Sequence, residues 1–202
     1  VIGELVRAIL QDEPMKMRRL ADIFHVDVAS INSMWIISGD APQDKERLAD
    51  VLETILRDTK AYSASAIADI YDGEMVLFMI GPGNIQDVRA LTEAIGSALS
   101  ERQIHASLTR CHALNTTTRV REAFLSHQVG LPAAKQIFPG QWAYTLEQID
   151  FARQCQEQIG RGERAVEEAQ RCIAALQDGD EGLLETLECY LLDARTHVTL
   201  TA

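Results

Sequence analysis

Tyr71-Asp72-Gly73-Glu74 is the stretch of this chain whose residue types are best able to do chemistry: two carboxylates flanking a glycine. Carboxylate oxygens hold divalent cations or accept hydrogen bonds from a purine or a ribose, and a glycine lets a ligand approach the backbone closely. The same residues have a plainer use. An Asp-Gly pair between two strand-like runs is a strong hairpin signal, which makes Asp72 an ordinary turn residue and Glu74 a solvated strand end. The cations that could draw an anionic ligand here are Lys45, Arg47, Arg89 and Arg110, and no two stand at a spacing that makes a clamp.

Metal chemistry of the nitrogen and sulfur kind has less to work with. Cys111, Cys155, Cys172 and Cys189 include no C-x-x-C pair, and His25, His105, His112, His127 and His197 show no ligand spacing. The nearest cluster is His105-x5-Cys111-His112, which lacks the second close pair that a zinc site normally has. We expect no metal and no cofactor. The cysteines read as small reduced apolar residues of a cytoplasmic protein.

The elements that must position the hairpin are legible from periodicity. "IGELVRAILQD" puts Ile2, Leu5, Val6, Ile9 and Leu10 on one helical stripe, and a second short helix ends near His25. Strands are expected near residues 31–38, 64–71, 75–80 and 104–110, with 75–80 central. The last alternates Ile104, Ala106 and Leu108 with His105, Ser107 and Thr109, the period of a strand with one covered face. Helices over 43–58 and 85–100 each carry a single apolar stripe and should share one face of the sheet. The resulting β-α-β-β-α-β order predicts an α+β fold with a ferredoxin-like antiparallel sheet. Beyond it come a helix from about Thr118 with a possible break at Gly130-x-Pro132, a short edge strand at Trp142 to Tyr144, and helix from Thr145 onward. This divides the chain into a helical lead-in (1–27), an α/β domain (28–145) and a C-terminal helical segment (146–202).

Composition sets the outer limits. The 202 residues are 47% apolar and 24% charged, an ordinary globular balance. A net charge of −11 makes the chain a poor ligand for a phosphate backbone. Residues 145–194 hold twelve acidic and four basic side chains, which reads as a solvated helical surface. No apolar run is long enough to cross a bilayer, so the chain reads as a soluble fragment of a longer protein. The stripe through Leu5 and Ile9 and a second through Leu183, Leu187 and Leu191 have little expected sheet to cover them. They are the candidate faces for packing and self-association.

Together, the element order and the segment "IYDGEMVLFM" resemble the sheet of a nucleotide-cyclase-type GGDEF domain. The turn is one residue short of that pattern. The strand "MWIISGDAPQD" also lacks the metal-binding aspartate of such cyclases, since Asp40 comes too late, after Gly39. The segment "ELVRAILQDEP…RLADIFHVDVASINSMWII" resembles the helical lead-in to the GGDEF-like domain of the carbohydrate-diacid and purine-catabolism regulators (the CdaR/PucR type). "EGLLETLECYLLDARTHVTLTA" is similar to the stretch by which those proteins enter their C-terminal helix-turn-helix. In element order the resemblance covers nearly the whole chain, and it is most specific at residues 182–202. It implies a degenerate GGDEF-like domain, inactive as an enzyme, in a dimeric cytoplasmic transcription factor whose sensing region lies partly before Val1. It implies DNA binding through a helix-turn-helix that continues past Ala202, not through residues 1–202 themselves. It also leaves Tyr71, Asp72, Gly73 and Glu74 as the remnant pocket for a small-molecule or nucleotide effector.

Overall fold

The computed structural model describes residues 2–62, 65–81, 87–114 and 116–177. The chain divides into two compact units, Val1–Arg153 and Gln154–Ala202. The first holds the sheet: β1 (Ile31–Gly39), β2 (Ser65–Tyr71), β3 (Glu74–Ile80), β4 (Ala106–His112) and β5 (Ala143–Thr145). Their spatial order is β2-β3-β1-β4-β5. β1, β2, β3 and β4 pair antiparallel, and β5 runs parallel to β4, so the sheet is mostly rather than wholly antiparallel. β1 lies at the middle of the order, with β3 interior beside it. The short strand expected at Trp142 to Tyr144 is β5.

Each of β1 and β3 is apolar on both sides of the pleat, and that dictates the layers. Trp35 and Ile37 of β1, with Met75, Leu77 and Met79 of β3, form one core. It is covered by α3 (Pro42–Arg47), a 3-10 turn (Leu48–Val51), α4 (Leu52–Tyr62) and α5 (Val88–Glu101). Leu48, Val51 and Ile55 meet Leu91 and Ile95 there, so the two expected helices do share a face. Met34, Ile36, Val76 and Phe78 point the other way. They need a cover of their own, as strands buried on both faces do.

That cover comes from the flanks of the chain. α1 (Ile2–Leu10) and α6 (Thr117–Ile137) close the second face, and α2 (Pro14–Phe24) packs beside them. Leu5 and Ile9 are wholly buried in this second core. The expectation that their stripe stands uncovered as a self-association face is therefore corrected: the sheet itself takes it. β4 needs a correction for the same reason. Ser107 and Thr109 are as buried as Leu108, because α6 lies over the side of the strand expected to face water.

α6 also runs without a break through Gly130 and Pro132. Pro132 sits on the exposed side of the helix, and its missing N–H leaves the carbonyl four residues earlier without that donor. Gly130 faces inward, and a Cβ there would fall 2.8 Å from the backbone oxygen of Ile149. α7 (Leu146–Gln177) begins with Ile149 and Ala152 buried against Leu131 and Ala134 of α6. The second unit is described through Gln177, and the stripe at Leu183, Leu187 and Leu191 lies outside the described residues. Among the described residues, no helix is long and apolar enough to cross a membrane.

Candidate functional site

The hairpin forms as the Asp-Gly pair demands. Tyr71 and Glu74 pair across a two-residue turn in which Asp72 (φ 53°) and Gly73 (φ 76°) are both left-handed. This is the turn type whose twist matches the flanking strands. The four side-chain positions then diverge. Tyr71 is half-buried, edge-on to the Phe124 ring of α6, and its hydroxyl meets the Gln11 amide at 3.5 Å. Asp72 stays exposed and accepts from Gln128 Nε2 at 2.8 Å. Gly73 is exposed near the Lys45 side chain.

Glu74 goes inward. It is 7% exposed and lies under α6, which contradicts the solvated strand end expected for it. Its Oε1 accepts from Ser38 Oγ at 2.9 Å and lies 3.2 Å from His127 Nε2. Ser38 Oγ is also 2.8 Å from His127 Nε2, and His127 Nδ1 is 2.8 Å from Thr109 Oγ1. One assignment of protons satisfies every contact. Ser38 donates to Glu74, the Nε2–H of His127 points at the Ser38 and Glu74 oxygens, and Thr109 donates to Nδ1. Within this cluster, Glu74 Oε2 is left buried without a partner.

This arrangement has the residue types of a nucleophilic site but the wiring of a clamp. A serine nucleophile needs a histidine that accepts its proton on one nitrogen while a carboxylate orients the other. Here serine and carboxylate share Nε2, and a threonine takes the opposite side. Ser38 is 3% exposed and His127 fully buried, so a substrate has no approach. What the cluster does is hold α6 to the end of the sheet where the hairpin turns. Two further ties act at the ends of the same helix. Asp12 accepts from Thr117 and Thr118 at the N-terminus, at 2.9 and 3.3 Å. Lys135 pairs with Asp40 at 2.6 Å near the C-terminus, and Ser107 donates to the same Asp40 oxygen at 3.0 Å.

So Tyr71, Asp72 and Glu74 each meet α6, and they do not converge on a cavity. Of the four cations, Lys45 alone comes near the turn. Arg47 donates to the carbonyl oxygens of Arg102 and Gln103, Arg89 pairs with Glu93, and Arg110 sits on β4. His105, Cys111 and His112 do not gather into a metal site. Among the described residues, no group of three His, Cys, Asp or Glu side chains does. Burial raises the Cys111 thiol far above its ordinary pKa, with the Glu147 and Asp150 charges adding to the effect.

Ser38, Thr109 and His127 were not singled out by sequence. The signal was there for one of them: His127 stands in the stripe Val120, Ala123, Phe124, Leu131 and Ala134. A histidine on a buried stripe must find polar partners, because burying its ring nitrogens unpaired is costly. Elsewhere, a cavity of about 480 Å³ beside α2 is lined by Met17, Ala21, Val28, Ile31 and Val120 together with Arg18, Asp22 and Asp27. The chain matches no family model, and no curated protein matches it.

Proposed function

We propose that this chain is a regulatory and assembly module of a bacterial DNA-binding transcriptional regulator of the sugar-diacid type, built on a GGDEF-like domain that has lost its chemistry. The observation that carries the reading is the position of Glu74. In a cyclase of that type the acidic turn faces metal and nucleotide. Here the carboxylate is held by Ser38 and His127 under α6, and the hairpin serves to fix a helix. The order β-α-β-β-α-β, with β2-β3-β1-β4 side by side, supports the same reading. So does the similarity of residues 182–202 to the entry of a helix-turn-helix. Its partners are a second copy of the chain and, through the helix-turn-helix, DNA in the cytoplasm. For a small-molecule effector we favour the cavity beside α2, lined by apolar side chains with Arg18, Asp22 and Asp27, over the hairpin, which α6 covers.

Catalytic silence gives the direct test. Two-metal phosphoryl transfer requires carboxylates that converge on the ions, which a buried Glu74 and an exposed Asp72 do not provide. Incubation with GTP and magnesium or manganese, followed by chromatography, should give no cyclic dinucleotide. Product that scales with protein and vanishes on Glu74→Ala would overturn the reading.

A further inference from the structure

The outer part of α7 carries a pattern that the sheet does not use. Cys155, Ile159, Gly162, Val166, Ala169, Ile173 and Leu176 follow one another at alternating steps of four and three residues. That is the spacing of the a and d positions of a heptad, with Ile159, Val166 and Ile173 at a and Cys155, Gly162, Ala169 and Leu176 at d. Ile159 is 62% and Val166 58% exposed, and none of the described side chains from Gln154 to Arg171 is buried. A helix of this length draws its stability from packing of an apolar face.

Two further observations say what kind of cover the face fits. Of the seven charges between Gln154 and Gln177, six fall at the outward b, c and f positions: Glu157, Arg161, Arg164, Glu167, Glu168 and Arg171. Glu163 alone flanks the stripe, so two such helices meet without facing like charges at every turn. On that outer side, Arg164 donates to the Gly160 carbonyl and Arg171 pairs with Glu167. Gly162 lies on the stripe, and a Cβ there would find nothing within 4 Å. A glycine in a helix interior weakens it relative to alanine, and Gly160, on the outer side, has the same open space, so what sets Gly162 apart is its place on the stripe. On a seam, a glycine lets a second backbone approach closely.

We propose that residues 155–176 of α7 pair in parallel and in register with the same residues of a second copy of this chain, as a two-stranded coiled coil. β-branched residues at a with leucine at d favour two parallel strands, a pattern that the a positions follow throughout and the d positions follow at Leu176. The pairing deepens the self-association named above and moves it away from the stripe of Leu5 and Ile9.

The test uses the whole chain. Light scattering on a sizing column should give twice the 22.4 kDa of one chain across a hundredfold range of concentration. Ile159→Lys with Val166→Lys should return the mass to one chain, while Arg164→Ala, on the outer side, should leave the dimer intact. In a chain with Cys172→Ser and Cys189→Ser, Cys155 should cross-link between copies. Diamide is the oxidant, accepting the two hydrogens lost as the disulfide forms. Equivalent d positions adjoin only in a parallel, in-register pair, and this readout does not depend on how the lysine variant folds. A single-chain mass at every concentration overturns the proposal, with the stripe then covered from within its own chain. A dimer that survives both lysines removes this seam but keeps the regulatory reading. A dimer without the Cys155 cross-link removes the parallel register.

Discussion

The Glu74 carboxyl and the His127 ring are 53 residues apart in sequence and 3.2 Å apart in the fold. Both are buried where α6 meets the sheet. Removing the ring should therefore cost far more than one hydrogen bond. His127→Ala leaves Thr109, Ser38 and Glu74 short of a partner and opens a void between helix and sheet. A buried polar group left unpaired costs about 1–3 kcal/mol, and an unfilled cavity adds to that. We expect a loss of about 3 kcal/mol in urea unfolding. The comparison is Gln128→Ala, which removes an exposed contact to Asp72 and should change stability by under about 0.5 kcal/mol. Equal effects would show that the buried cluster is not what holds α6. Asp72 and Gly73 were readable in advance because a tight turn is decided by its own residues. Glu74 was misread because its partner comes from a helix 53 positions on.

Between elements, the legible part was whatever a single stripe could decide. Leu48 to Ile55 and Leu91 to Leu99 each show one apolar face, and both cover the same side of the sheet. The second side was hidden because its cover, α1 and α6, comes from opposite flanks of the strand region, and no local pattern joins Leu5 to Phe124. The break expected at Gly130 was misread because helix propensity is local while the reason for this glycine is Ile149. Gly130→Ala tests that directly. On an open helix the change gains up to about 1 kcal/mol. Here the added methyl meets the Ile149 side chain at 2.7 Å and its carbonyl at 2.8 Å. Overpacking of this kind costs about 1–3 kcal/mol, so the melting temperature should fall. The start of α7 makes a second test. Thr145 and Gln148 cap each other there, at 2.9 and 3.3 Å, in the reciprocal pattern of a capping box. Glu147 in that first turn is held below its ordinary pKa by its own backbone N–H and then by the Thr145 hydroxyl. A carboxyl with a lowered folded pKa stabilises the fold above its unfolded value of 4.5, and the contribution is lost as pH falls through the folded value. Glu147→Gln should thus lower stability slightly at neutral pH, the effect being small because water screens this exposed side chain, and the gap from the unaltered chain should close on acidification. A gap that widens in acid reverses the sign and the assignment.

Charge is the property that belongs to the molecule as a whole, and it bears on the proposed function in a way that can be checked. The net of −11 is not spread evenly, since residues 145–194 carry twelve acidic and four basic side chains. Duplex DNA presents one negative charge per roughly 1.7 Å, and sequence-independent affinity comes from the cations that neutralise them. A helix-turn-helix must bring its second helix into the major groove and place lysines and arginines on the phosphates. In the proposed function residues 182–202 lead into such a unit, yet Arg195 and His197 are the only basic residues in them. Repulsion from the acidic residues of this region should outweigh what those two side chains can contribute. Residues 1–202 should accordingly leave duplex DNA unshifted in a gel at low salt. A longer chain that carries the proposed helix-turn-helix should instead bind duplex DNA, with an affinity that falls steeply with salt. A shift by residues 1–202 alone would mean that cations elsewhere on this acidic surface form a phosphate track. A longer chain that leaves duplex DNA unshifted would withdraw the regulator reading altogether. The buried Glu74 and the heptad of α7 would remain as facts of the fold in need of another use.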